Sequence, residues 1–197
     1  MFEFEKEYIL ENERALLRPL ARNDKEHLLT FSLHEPELWQ YSAQQADSEE
    51  NLEKYVSTAL EAREKQLEYP FIIFDKKTQE YAGSTRFYDI QNKHKTAQLG
   101  YTWYGKKFQR TGLNRHCKLL MLSFAFDTLQ FNRIEFRADL RNKKSIAAMK
   151  AIGCKEEGVL RQHLQLANNV CRDSIILSIL REEWLYEVKE NLLKKIY

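Results

Sequence analysis

The stretch Gln109-Arg110-Thr111-Gly112-Leu113-Asn114, with the helix it opens over Arg115 to about Gln130, decides how this chain of 197 residues is read. Before it, Gln98-Leu99-Gly100-Tyr101-Thr102-Trp103-Tyr104 is a β-rich run. After it, Leu113, Cys117, Leu120, Met121 and Phe124 recur at helical spacing, so the period changes at Gly112. A strand, a glycine-containing loop and a helix start leave several backbone N–H groups free and pointing the same way. Together with the positive end of the helix dipole, such donors suit a pyrophosphate. Gly112 lets the backbone come close to a ligand, and Arg110 and Arg115 add charge. The same residues also fit an ordinary loop ahead of a buried helix, because one glycine is a weak signal.

Working outward, the length fits one domain over residues 1–197 with a core of its own. Hydrophobic residues make up 43% and charged residues 30%, ordinary values for a soluble enzyme or binding domain. A net charge of +2 gives no footprint for a nucleic-acid or membrane partner. No apolar run has the length to span a bilayer, and the acidic start, Met1 to Glu7, lacks the apolar core of a signal peptide. Cys117, Cys154 and Cys171 are odd in number and widely spaced, which gives neither a disulfide framework nor a zinc pattern. The expectation is a reduced, cytoplasmic protein without metal; nothing in the sequence specifies an oligomeric state.

Along the chain, Tyr8 to Leu20 reads as a first strand ending at Arg18-Pro19. Asn23 or Asp24 is placed to cap a helix from Lys25, and Ser48 starts a second helix whose stripe is Leu52, Tyr55, Val56, Ala59 and Leu60. The charged run Glu61 to Glu68 reads as a solvated face. Tyr69 to Phe74, Tyr81 to Ile90 and Ala97 to Tyr104 form an antiparallel meander, with Gly83 marking a bulge or close approach. Arg133 to Ala138 alternates as a strand, Asn142 to Ile152 reads as a short helix, and Gly153 stands at its C′ position. Two strands, Gly158 to Leu166 and Val170 to Leu180, join at Asn168-Asn169, and a helix over Glu182 to Ile196 closes the chain. The fold class is α+β, a mixed sheet flanked by helices.

With this order in hand, the sequence resembles the GNAT superfamily of N-acetyltransferases, most nearly its RimJ/RimL-type ribosomal-protein N-terminal acetyltransferases. The residues that carry the resemblance run from Leu17-Arg18-Pro19-Leu20 and Gln109 to Asn114 through Asn142-Lys143-Lys144-Ser145-Ile146-Ala147 and Gly153 to Gly158. Arg172-Asp173 and Ser178 to Trp184 complete it, so that it covers roughly Leu17 to Trp184. It implies a central, mostly antiparallel, splayed sheet, acetyl-CoA as donor, and a primary amine as acceptor. Gly100, Tyr101, Thr102 and Trp103 would then offer backbone groups to the pantetheine arm. Gln109, Arg110, Thr111, Gly112, Leu113 and Asn114 would hold the pyrophosphate. The family's loop pattern is Gln/Arg-x-x-Gly-x-Gly/Ala, and Asn114 departs from its last position.

By the same resemblance Asn142 bonds the pantetheine region and Ser145 stands near the thioester sulfur, where a hydroxyl serves as a proton donor to the leaving thiolate. On residues alone, Asn142 is equally an N-cap and Ser145 a first-turn residue. Many relatives carry a glutamate where this chain has Gln98, which cannot take a proton usefully. Asp89, His94, Tyr101, Tyr104, His116 and His163 are the titratable groups to consider, and no base is singled out. Trp39 and Tyr41 would wall an acceptor pocket, with Glu35 and Glu37 attracting a cationic amine; core aromatics beside surface acids are the plain alternative. Nothing favours a protein N-terminus over a small-molecule amine. The rival function is a non-catalytic acyl-CoA-binding sensor or interaction module, suggested by Gln98; RNA binding ranks below both.

Overall fold

The computed structural model describes residues 1–166 and 169–197. Its sheet has eight strands in the order β1-β2-β3-β4-β5-β6-β8-β7. They are β1 (Leu10–Glu11), β2 (Ala15–Pro19), β3 (Tyr69–Asp75), β4 (Glu80–Gln91), β5 (Thr96–Tyr104), β6 (Arg133–Asp139), β7 (Lys155–Gln165) and β8 (Cys171–Leu180). β3 reads as an almost unbroken apolar run because helices cover both faces of the sheet at its centre. Every neighbouring pair is antiparallel except β5 and β6. A parallel pair needs a crossover, and α3 (Leu113–Ser123) supplies it.

The expected α+β sheet is therefore present, with one strand more than the sequence suggested. The Tyr8–Leu20 segment is split by a turn in which Asn12 Oδ1 accepts from the N–H groups of Arg14 and Ala15. Gly83 is the close approach anticipated for it: a Cβ there would lie 2.0 Å from the Trp103 carbonyl oxygen. Asn169 has a φ of 61°, whereas Asn168, its partner in the anticipated turn, lies outside the described residues.

α1 (Lys25–His34) and α2 (Glu49–Glu64) cover one face. Ser48 caps α2 through Asn51, as its position implied. Neither Asn23 nor Asp24 caps α1. The Asp24 carboxylate is taken by Arg18, at 2.6 and 2.8 Å, and by the N–H of Ala21, so it closes the preceding 3-10 turn instead. Nor is the run to Glu68 solvated to its end, because Glu68 turns inward to Arg86. Trp103 of β5 packs against Phe31 and Trp39 on this side and donates to the Tyr55 hydroxyl.

On the other face, α3 begins at Leu113, two residues before the expected start, and continues through a π turn (Phe124–Thr128). α4 (Lys143–Ala151) is capped by Asn142, whose Oδ1 accepts from the Ser145 N–H at 3.0 Å. Gly153, at φ 101°, follows it as predicted. The C-terminal segment is α5 (Arg181–Glu183), a π turn (Trp184–Val188) and α6 (Lys189–Lys194). The acidic N-terminus hides a second pattern: Phe2 and Phe4 alternate with the acids and are buried, Phe4 against Phe2, and Phe2 also against Tyr8, Tyr69, Phe87 and Phe124.

Candidate active site

β5 and β6 pair only from Thr96↔Arg133 to Gln98↔Glu135. Beyond that point both strands go on, β5 to Tyr104 and β6 to Asp139, without a ladder between them. β6 stays bonded to β8 along its whole length, so the edge left open is the one facing β5. At about 3.3 Å per residue the open edge of β5 runs on the order of 20 Å, the length of an extended small-molecule arm. A bulge marks its start: Ser84 opposes Trp103 and Arg86 opposes Gly100, which leaves Tyr101 and Thr102 against Thr85 alone. Tyr101 takes a left-handed φ of 49° to make the bulge. The wedge thus presents the edge of Gly100, Tyr101, Thr102 and Trp103, the four residues predicted for it, while the Trp103 side chain serves the core.

The wedge opens onto the 109–114 loop. Gln109 Nε2 donates to the Tyr104 carbonyl and Thr111 Oγ1 to that of Phe108. Arg14, held on the buried Asp75 at 2.7 and 2.9 Å, reaches the Thr111 carbonyl and hydroxyl at 3.5 and 3.4 Å. The loop is therefore tied down by its side chains and carbonyls. Its N–H groups at Arg110, Thr111 and Gly112 have no acceptor among the described residues. Arg110 (φ 61°) and Gly112 (φ 90°) both take left-handed φ values, a backbone setting in which consecutive free amides suit an anion. The glycine-like positions are thus 110 and 112. Asn114 lies in the first turn of α3, where its Oδ1 accepts from the Tyr104 hydroxyl at 3.2 Å. Nothing lies within 4 Å of a Cβ built on Gly112, so this glycine answers to its φ rather than to crowding.

Asn142 and Ser145 stand at the start of α4, just past the C-terminal end of β6, so they border the open end of the wedge opposite the loop. Asn142 Oδ1 is spent on the cap, and Ser145 Oγ has no partner among the described residues. His94 sits in the β4–β5 turn at the closed end, away from this opening.

On the α1–α2 face the surroundings are polar and crowded. Arg86 is 1% exposed, lies between the rings of Tyr55 and Tyr101 at 4.8 and 4.1 Å, and donates to Glu68 at 2.6 Å. Its Nε and Nη2 have no acceptor among the described residues, and neither has Arg172 Nε. Burial pushes the Tyr88 and Tyr101 phenols above their ordinary value. Gly100 is fixed by Tyr88, whose ring a Cβ would meet at 2.8 Å. Gln98 is buried and donates to Asp89 Oδ2 at 2.8 Å. Burial, then Arg137 and Arg172, lower the pKa of His163, which bonds Ser174 at 3.0 Å.

Trp39, 1% exposed, touches Trp103 with its ring, whereas Tyr41 is half-buried and accepts from Arg172 through its carbonyl. The carboxylates of Glu35 and Glu37 are engaged by the Lys106 N–H and ammonium. Sequence reading passed over Arg86 and Lys118, and it quoted Arg172 for the family resemblance without giving it a place in the site. Lys118 carried a legible signal, a cation inside the apolar run Cys117-Lys118-Leu119-Leu120-Met121. Among the described residues no group of His, Cys, Asp and Glu could hold a metal ion, and no helix is long and apolar enough to cross a membrane.

A sheet splayed between two parallel strands, opening onto free amides at a helix start, defines the class of acyl-CoA N-acyltransferases. Residues 14–155 match the family described as an acetyltransferase (GNAT) domain, and the chain belongs to that family. It is similar to the provisionally named ribosomal N-acetyltransferase YdaF of Bacillus subtilis (strain 168), 30% identical over 102 residues. That match spans 52% of this chain and 55% of YdaF, about half of each. A crystal structure provisionally titled as an acetyltransferase from T. thermophilus is 30% identical, covers 100% of both chains, and has a TM-score of 0.88. A GCN5-related N-acetyltransferase from Brucella melitensis shares the fold at 21% identity, with a TM-score of 0.89 over 98% of this chain and 86% of its own.

Proposed function

We propose that this protein transfers an acetyl group from acetyl-CoA to a primary amine, with the pantetheine arm in the β5–β6 wedge. The observation that carries the reading is the loss of pairing after Gln98 and Glu135, which leaves an open strand edge leading to the free amides of Arg110, Thr111 and Gly112. An arm laid along that edge finds the backbone groups of Gly100 to Trp103 where a neighbouring strand would otherwise be. The pyrophosphate falls at the loop and the α3 N-terminus, with Arg110 and Arg115 beside it. Acetyl-CoA, when bound, supplies an activated thioester; what the chain contributes is placement and a proton relay.

The amine approaches from the α1–α2 face, past Tyr41 and with Trp39 behind Trp103. Gln98 offers no base, so the main acceleration comes from holding a neutral amine against the thioester. Ser145, whose hydroxyl is not spent locally, passes its proton to the departing sulfur as it takes the one released by the attacking nitrogen, and Asn142 holds the turn that positions it. A protein amine, such as an N-terminus, is the favoured acceptor class, because YdaF is named as a ribosomal N-acetyltransferase; a small-molecule amine is the other. The non-catalytic sensor is not favoured, since the relatives described above are named as acetyltransferases. Thiol release should be followed with saturating acetyl-CoA and a panel of peptides with free N-termini, polyamines, amino acids and aminoglycosides. Release with peptides above the rest supports the assignment; no release with any amine removes it.

A further inference from the structure

Lys118 stands in the second turn of α3 and is 5% exposed. Its ammonium donates to Thr102 Oγ1 at 2.9 Å and lies 5.9 Å from the centroid of the Phe136 ring. Thr102 belongs to the part of β5, and Phe136 to the part of β6, where the two strands no longer pair. The ammonium therefore stands between the splayed strands, inside the wedge. Thr102 Oγ1 is in turn 2.7 Å from Thr85 Oγ1, so the lysine is met by hydroxyls rather than by charge.

No carboxylate lies within ion-pair distance of Lys118 among the described residues. A fully buried, unpaired lysine is rare, because desolvation penalises its charge. Of the three donors an ammonium carries, one is used. The titratable groups facing it are Cys117 on its own helix and Cys154 after α4, both thiols pushed up to about 12 by burial and so neutral. Burial lowers Lys118 itself to about 8.

We infer that Lys118 is a cofactor-contact residue, its ammonium donating to a carbonyl oxygen, amide or thioester, of the acyl-pantetheine arm in the wedge. The inference rests on the acetyl-CoA reading above and adds a side-chain donor to the stretch of the wedge where β5 offers the arm only backbone groups. It explains why a cation occupies the floor of the wedge at all: the arm is a neutral chain rich in acceptors, and the spare donors point to a ligand of that kind. A donor of this sort favours the protonated lysine, so binding raises its pKa and affinity falls as pH climbs past about 8.

The test is calorimetric titration of wild type and Lys118→Met at pH 7.5 and 9.5, with acetyl-CoA and with adenosine 3′,5′-bisphosphate, which lacks the arm. Lys118→Met should bind acetyl-CoA roughly tenfold or more weakly at pH 7.5 and bind the nucleotide as wild type does. Wild-type affinity for acetyl-CoA should fall about fivefold between the two pH values, with the nucleotide unaffected, and the variant should show no such fall. The wild-type pH dependence stands as a readout should the variant fold poorly. Equal acetyl-CoA affinity in both proteins, or an equal loss for both ligands, overturns the contact while leaving the acetyl-CoA reading intact. If wild type binds neither ligand, that reading fails and the contact with it.

Discussion

Gly112→Ala separates the loop's conformation from its proposed binding. At φ 90° an alanine is strained by about 1–2 kcal/mol, and with no atom within 4 Å of the new Cβ nothing else is added. Against a stability of order 5–15 kcal/mol the variant folds, with a Tm lower by about 2–8 °C. The loop relieves the strain by turning the peptide back toward negative φ, which rotates its N–H groups away from the pyrophosphate. Losing one charge-assisted bond of about 1.5–3 kcal/mol predicts a roughly 10- to 150-fold weaker Kd for acetyl-CoA. Gly158→Ala is the control: it too has a positive φ (157°) and open space around its Cβ, but it lies on β7. Calorimetric titration and thermal unfolding of both variants decide the matter. If the two lose comparable stability and Gly112→Ala still binds acetyl-CoA as wild type does, the loop is not the anion site.

Three other variants probe the same geometry. Arg14→Met strands the buried Asp75 and unties Thr111, so we expect a loss of about 3 kcal/mol in urea unfolding at pH 7 together with weaker acetyl-CoA binding. Burial opposes it, but in wild type the Arg14 bond and the Lys77 N–H keep the Asp75 pKa below its usual value, so that stability is present above about pH 4 and is lost as the pH falls further. In the variant burial dominates and the pKa rises, so the deficit should shrink on acidification; a deficit constant with pH would contradict this. Ser145→Ala should leave stability within about 0.5 kcal/mol, because Asn142 makes the cap, while lowering kcat by roughly tenfold to a hundredfold. An unchanged kcat would remove Ser145 from the chemistry. Gln98→Glu sets a second carboxylate against Asp89, so one of the two retains a proton near neutrality. Its raised pKa makes stability fall as pH rises above about 5, visible as a Tm that drops between pH 5 and 8 more than in wild type.

The fold was legible because its signals are local. The meander, the Gly83 approach, the Ser48 and Asn142 caps and the change of period at Gly112 each follow from a few neighbouring residues. What escaped was set by partners far along the chain. Asp24 looks like a helix cap until Arg18 takes its carboxylate, and Glu68 looks solvated until Arg86 draws it in. In the candidate site the loop could be proposed from its residues, and the β5 edge only through the family resemblance. The left-handed turn at Arg110 could not, since nothing about an arginine announces a positive φ. Lys118 shows the same limit: its place in the apolar run could be read, but only the divergence of β5 and β6 gives its burial a purpose.

Acetyl-CoA in the wedge, with its pyrophosphate at the loop, is the central claim. Hydrogen–deuterium exchange with and without saturating acetyl-CoA tests it most directly. The amides of Arg110, Thr111 and Gly112, and those along the open edge of β5 from Gly100 to Tyr104, should slow on binding, while β7 is unaffected. Binding by calorimetry with no slowing at these amides, or with slowing confined elsewhere, would contradict it.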